Sequence, residues 1–505
     1  MSGDITRRGI LKLAVQAAIL SPFARLSAEP LSLPARSLAT PAVERHGTYR
    51  LTLADNRLLN EMEQMACRYF WEQASPKTGL VKDRARPTLR DEHEIASIAA
   101  TGFGLTALCI AHKRDFIRRA EIEERVLTTL RFLQSKMYNN HGFFFHFVNM
   151  DSGERVWNCE VSSIDTSLLL CGVLTCRQYF DSKEIQDLAS QIYDRADWTW
   201  MLDRGKTLSH GWTPEHGFLP YRWNTYCELM MIYLLGIGSR THPIPAATWD
   251  AWWRPIFEYR GTQYIGSYAP LFVHQYSHAW FDFRDKRDRY TNYFDNSIVA
   301  TKAHREFCAG LHRRFRDYSD TVWGITASDS AQGYTWWGGP PPVGTIDGTL
   351  VPAASAGSLP FLPREALSDL HTMRARYGGH EWKRYAFQDA FNPLTGWYDS
   401  DVIGIDTGIG LLMAENLRSN FVWDTFMMNL EVRNGMQLTG FKPESKTSAL
   451  RSDRTPFEGR VPANSGLVMP KPLTSSQNSS SANPRVVYAA NSTSAKHRAL
   501  PRSSG

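Results

Sequence analysis

Three acids, Asp399, Asp401 and Asp406, fall within one short stretch directly after Trp397 and Tyr398. The stretch opens with turn formers, Asn392-Pro393-Leu394-Thr395-Gly396, and runs through Asp406-Thr407-Gly408 into an apolar helical segment. Acids beside aromatics on a loop that feeds a helix suit carbohydrate chemistry. Ring faces stack on the apolar faces of sugars, and carboxylates bond hydroxyls or move protons. A single Asp at a helix start is also a common N-cap. The argument therefore needs further acids along the chain.

Three other places supply them. Glu160 and Asp165 straddle the entry to an apolar helix, with Ser162 or Ser163 as its cap. Glu228 lies in the run Trp223-Asn224-Thr225-Tyr226-Cys227-Glu228-Leu229-Met230-Met231. A Glu among apolar neighbours is desolvated, which raises its pKa and suits a general acid. Asp406 precedes Gly408 and Gly410 at a helix N-terminus, where an ionised carboxylate is favoured, as a general base requires. Asp329 is followed by Tyr334, Trp336 and Trp337 in a Gly/Pro loop, either a sugar platform or a packed lid. His274 and His278 are four apart but lack the glutamate of a zinc protease motif, and no Cys/His cluster has metal spacing. Nucleophile-elbow, P-loop and dinucleotide fingerprints are missing.

These acids need a helical frame. Asp55 marks the cap of a helix reaching to about residue 74. Further helical stretches are expected near 94–112, 119–137, 163–180, 184–203, 223–237, 290–316, 364–376 and 407–431. Residues 142–148 read as a strand. Some helices, such as 167–174 and 229–235, are apolar nearly all round, while 118–136 is two-faced. Inner helices shielded by amphipathic outer ones produce that mixture. The expected fold is all-α, a toroid of α-hairpins with a few short strands in loops.

The 505 residues carry a net charge of +6. Residues 443–505 contain nine basic and three acidic side chains, so the tail holds the whole excess. A neutral body argues against nucleic-acid binding. Thr6-Arg7-Arg8-Gly9-Ile10-Leu11-Lys12 has the twin-arginine export pattern, and the apolar run behind it is too short to span a bilayer. The expected division is a signal peptide at 1–28, a linker at 29–50, a catalytic body at 51–442 and a disordered basic tail at 443–505. The expected location is periplasmic or secreted, with the twin-arginine machinery as export partner and no integral membrane segment. The seven cysteines lie mostly in apolar helical stretches and read as buried free thiols.

Several segments together resemble the bacterial glucoamylase-like family, which includes endo-β-1,2-glucanases. They are Gly79-Leu80-Val81-Lys82-Asp83-Arg84, Ser163-Ile164-Asp165-Thr166, Leu271-Phe272-Val273-His274-Gln275-Tyr276-Ser277-His278 and Gly404-Ile405-Asp406-Thr407-Gly408, with others in order across about 55–435. The resemblance implies a six-hairpin α/α barrel and inverting hydrolysis of β-1,2-glucan with neither metal nor organic cofactor. It implies Glu228, Asp406 and Glu160 as catalytic acids, and a base that works through water or a substrate hydroxyl. The residues expected on the substrate are Asp83, Arg84, Asp165, Trp223, Tyr226, His274, Asp329, Trp336, Trp397 and Asp401. A transglycosylase on the same glucan, or a catalytically silent glycan-binding protein, are the alternatives. Deleting 443–505 is expected to leave folding and turnover of soluble glucan nearly intact, read by melting temperature and activity. Melting many degrees lower would place that segment in the body.

Overall fold

The computed structural model describes residues 49–87, 91–267, 271–340 and 345–444. The expectations for the signal peptide, for the linker up to residue 48 and for the tail from 445 onward lie outside the described residues. Among the described residues the helices are α1 Leu53–Glu72, α2 Ile98–Lys113, α3 Arg119–Ser135, α4 Ser163–Tyr179, α5 Lys183–Asp194, α6 Trp198–Leu202, α7 Met230–Gly238, α8 Tyr276–Trp280, α9 Tyr293–Gly310, α10 Pro352–Ala356, α11 Pro363–Glu381, α12 Gly404–Ser419, α13 Phe421–Phe426 and α14 Leu430–Leu438. Strands are two to four residues long and pair in small antiparallel sets.

Local chemistry explains where the helices start. Thr52 caps α1 and Asp55 closes the capping box as its third residue, so Asp55 is not the cap itself. Ser97 caps α2 and Ser162 caps α4 through their hydroxyls. The expected helix at 184–203 breaks at Arg195, giving α5 and α6. The expected helix at 223–237 begins only at Met230, because residues 224–226 pair instead with the backbone of Trp253. The 142–148 segment is two strands, Phe143–Phe144 and Phe147–Asn149, in different sheets.

The helices divide by burial. In α2, α4 and α7 nearly every residue is buried, and α12 is buried along most of its length. In α3 the buried residues are Ile122, Val126, Thr129, Leu130 and Leu133, one stripe at helical spacing; α5 likewise buries Ile185, Ala189, Ile192 and Tyr193. The inner helix α2 packs on α1, α4 and α12, while α3 and α5 pack on each other outside. Gly102 and Gly172 set the closest approach. A Cβ on Gly102 would lie 2.2 Å from the Leu168 carbonyl oxygen, and one on Gly172 would lie 2.1 Å from the Gly102 carbonyl oxygen.

Three inner helices begin at short strands. Ile95–Ser97 leads into α2 and pairs with Phe147–Asn149. Val161–Ser162 leads into α4 and pairs with Gly211–Thr213. Val402–Ile403 leads into α12 and pairs with Arg84–Ala85. At the opposite ends charges interlock. Lys113 and Arg114 of α2 bond Glu415 of α12 at 2.9 and 2.8 Å, and Arg177 of α4 bonds Glu431 at 2.6 Å. All seven cysteines are buried and free, and the Cys109 and Cys176 sulfurs face each other at 3.7 Å.

Near the C-terminal edge, Lys442–Pro443 pairs with Lys286–Arg287, and Asn292 donates to the Glu444 carboxylate at 2.9 Å. The body therefore continues through Glu444, two residues past the boundary that composition suggests.

Gly102→Ala is expected to destabilise the body by about 1–3 kcal/mol, because backbone must move to admit the methyl group. Urea unfolding of the variant measures this. An unchanged midpoint would show that α2 and α4 separate freely.

Candidate active site

A cleft of about 460 Å³ opens where the N-terminal ends of α2, α4 and α12 meet. Ser97 and Ala99 come from the start of α2, Asp165 from the start of α4, and Ile403 and Ile405 from the start of α12. Helix N-termini carry partial positive charge, so this end of the inner helices favours carboxylates. The acids indeed collect here.

Of the expected site residues, Asp83, Arg84, Asp165, Asp329, Trp397 and Asp401 line the cleft. Trp397 is placed by a tight hairpin, with Asn392 and Phe391 opposite Trp397 and Tyr398. The Asn392 side chain accepts from the Leu394 amide at 3.0 Å, and Gly396 completes the turn in the left-handed region at φ +70°. Arg84 is held in place by Asp83 at 3.3 Å and Asp329 at 2.5 Å.

Asp406 stands behind this cleft. It is the third residue of α12, whose N-cap position is Ile403, a side chain with no acceptor. With Asp389 and Gln388 it lines a small cavity of about 50 Å³. The Tyr276 hydroxyl donates to it at 3.5 Å. Glu228 is 1% exposed and lies two residues before α7 rather than inside a helix. Ser277 donates to its backbone carbonyl at 2.8 Å. Adjacent residues of α8 thus contact Asp406 and the backbone of Glu228.

Glu160 is also set back. His146 lines the cleft and lies between two acids, its Nδ1 3.3 Å from Glu160 and its Nε2 3.5 Å from Asp165. Ser162 caps α4 and bonds the Asp165 carboxylate as well.

Four expected substrate contacts need correction. Trp223 is 1% exposed, stacks on His210 at 3.9 Å and donates its indole N–H to Ser163 at 2.8 Å. Tyr226 is fully buried, its hydroxyl 3.0 Å from His274 Nδ1. Burial pushes the His274 pKa down to about 3, so the ring is neutral. These three are buried and do not line the cleft. Trp336 is half-buried but does not line the cleft, where Tyr334 stands instead. Trp337 is a packed residue that donates to Ser328 at 2.8 Å.

The structure adds groups that single residues do not announce. His93, His146 and Trp157 line the cleft, as do Tyr398 and Asp399 of the aromatic stretch singled out in the sequence, and Asp389 lines the neighbouring cavity. Asp399 is within reach of sequence reasoning, since it shares the aromatic stretch with Asp401. Asp389 has no such signal, because its partners come from distant segments.

Asp329, Asp389 and Asp399 have oxygens within 4.8 Å of one another. One oxygen of each is buried and takes no hydrogen bond among the described residues. The other Asp389 oxygen accepts from the Asp329 amide at 2.7 Å. Burial, then the neighbouring Asp406, pushes Asp389 well above the usual carboxylate range. Burial and Asp329 push Asp399 up to about 8. Burial and Asp399 push Glu381 up to about 9. Among the described residues, this trio and the group His146, Glu160 and Asp165 are the places whose ligand atoms are close enough for a cation. In the trio, Arg84 already supplies positive charge to Asp329.

Residues 220–430 match the family model named Glycoamylase and described as putative glucoamylase. Over that segment the chain is glucoamylase-like. It is 28% identical over 432 residues to an exo β-1,2-glucooligosaccharide sophorohydrolase (non-reducing end) of Parabacteroides distasonis, covering 77% of this chain and 58% of that relative. The chain thus spans a little over half the length of this curated relative. It also matches the structure of an endo-β-1,2-glucanase from Chitinophaga pinensis in complex with sophorotriose and glucose, with a TM-score of 0.70 and 26% identity over 77% of this chain and 98% of the other. A putative glucoamylase from Bacteroides uniformis matches with a TM-score of 0.73 and 27% identity over 78% and 99% of the two chains.

The raised carboxyls set a pH dependence for the folded body. Asp399 and Glu381 keep protons in the folded state that the unfolded chain releases above about pH 4. Their contribution to stability is full below that pH and is lost as pH rises towards about 8 and 9. The melting temperature is expected to fall across this window, and Asp399→Asn, which cannot ionise, should flatten the fall. A melting temperature that rises with pH there, or an identical slope in the variant, would refute the assignment.

Proposed function

We propose that the protein is a glycoside hydrolase that cleaves β-1,2-glucan with inversion, using Glu228 as general acid and Asp406 as general base. The observation that carries this reading is the match along nearly the whole length of the Chitinophaga pinensis endo-β-1,2-glucanase, solved with sophorotriose and glucose. The Parabacteroides distasonis sophorohydrolase points to the same linkage. The cleft adds the chemistry such a substrate needs, with Trp397 and Tyr334 for ring faces and Asp83, Asp165, Asp329 and Asp401 for hydroxyls.

In this reading each acid has its own part in the reaction. Glu228, nearly fully buried, takes the role of the acid that delivers a proton to the leaving glycosidic oxygen. Asp406, in the first turn of α12, takes the role of base. It lies in the small cavity behind the cleft, so it takes its proton through an intervening water or a sugar hydroxyl.

The same reading extends to the frame. The fully buried inner helices and one-sided outer ones, with N-termini of α2, α4 and α12 at one end, support a six-hairpin α/α toroid. The motif at Arg7-Arg8 supports twin-arginine export to the periplasm or beyond. Buried free thiols agree with a chain that folds before export.

Glu228→Gln is expected to keep the fold and glucan binding while lowering turnover by about 10²- to 10⁴-fold, since Gln cannot donate the proton. Asp406→Asn should lose activity to a similar degree. Near-normal turnover in a soluble Asp406→Asn protein would move the base to Glu160 or Asp401. Near-normal turnover in both variants would sink the two-carboxylate mechanism. Product analysis on linear β-1,2-glucan completes the test. Linear sophorooligosaccharides indicate hydrolysis, and cyclic or lengthened chains indicate transfer.

A further inference from the structure

We propose that Trp157 is a pyranose-binding platform in the cleft, forming a sugar subsite on a different loop from the one that carries Trp397 and Tyr398. The inference rests on the cleft being a glucan site and deepens that reading.

Trp157 lines the cleft yet is 50% exposed, one of the large apolar side chains most open to solvent. Its backbone is strained. Trp157 has φ +54° and Asn158 has φ +48°, two consecutive left-handed residues, neither of them glycine. A bulky side chain rarely adopts this conformation without a structure that enforces it. Here the enforcement is visible. Arg155 donates to the carbonyls of Cys159 at 2.6 Å and Asn158 at 2.7 Å, which closes the loop on itself. The same guanidinium pairs with both oxygens of Glu215 at 2.6 and 3.0 Å. The Val156 amide donates to the Phe147 carbonyl at 3.2 Å, and the Cys159 thiol and the Phe147 backbone bond each other.

The result is a rigid loop that holds an indole out of the core. Phe147 supports it edge-to-face, with centroids 5.1 Å apart and planes at 69°. Folding alone gives no reason to strain two residues so that a tryptophan stays half in water. A ring held rigidly in a cleft lined by acids matches what a hexose demands: an apolar face to stack on and carboxylates for its hydroxyls. Trp397 and Tyr398 enter the cleft from the 391–398 hairpin, a separate segment from the 154–159 loop. A chain of glucose units can therefore be gripped by rings from both.

The test compares Trp157→Ala and Trp157→Phe with the wild-type full chain on linear β-1,2-glucan, with Trp253→Ala as control. Trp253 is 61% exposed and does not line the cleft. Trp157→Ala should raise KM about tenfold with little change in kcat, because a ring that stacks on a sugar face binds ground and transition state equally. Trp157→Phe should recover most of the loss, and the control should behave as wild type. An unchanged KM in Trp157→Ala, or a fall in kcat alone, overturns the proposal. If the wild type instead turns over β-1,3-glucan, the linkage assignment falls, and the same comparison on that glucan decides Trp157. A wild type that neither binds nor cleaves either glucan overturns both.

Discussion

The close approach of α2 and α4 governs the rest of the molecule. With no side chain at Gly102 or Gly172, the two backbones touch, and Ser97 and Asp165 at their N-terminal ends are brought to one cleft. The third inner helix, α12, joins them through the pairing of Val402–Ile403 with Arg84–Ala85. That short ladder also fixes Asp83 and Arg84 beside Asp329. The acids converge because their helices do.

Convergence of acids has an electrostatic consequence. Asp329, Asp389, Asp399 and Asp406 are gathered where water is scarce, with Arg84 as the neighbouring cation on Asp329. Within this group, burial and neighbouring acids push Asp389 and Asp399 above the usual carboxylate range. The buried oxygens of Asp329, Asp389 and Asp399 that take no hydrogen bond belong to the same effect. Sugar hydroxyls, which both donate and accept, are well matched to a set of carboxyls that share few protons.

Much of this is legible in the amino-acid sequence. The apolar run of α4 and the single stripe of α3 follow directly from their periodicity, and the 391–406 stretch supplies Trp397, Tyr398, Asp399 and Asp401 to the cleft. Other features are hidden for physical reasons. Trp223, Tyr226 and His274 look like sugar contacts because the same residue types build aromatic cores; burial alone tells them apart. The helix at Glu228 begins late because residues 224–226 find backbone partners at Trp253, a long-range pairing that no local pattern encodes. Trp157 goes unannounced because its significance lies in its backbone angle and exposure, neither of which a residue type discloses.

The ion pairs at the far ends of the inner helices carry one more implication. Lys113 and Arg114 on Glu415, with Arg177 on Glu431, clamp the end away from the cleft, whereas the acid-bearing side is built from turns and strands of two or three residues. Rigidity and adaptability are thus segregated along the helix axes. Rim loops can therefore change in length or sequence while the clamped base keeps its geometry. Directed evolution would find its permissive positions on one side of the molecule and its intolerant ones on the other.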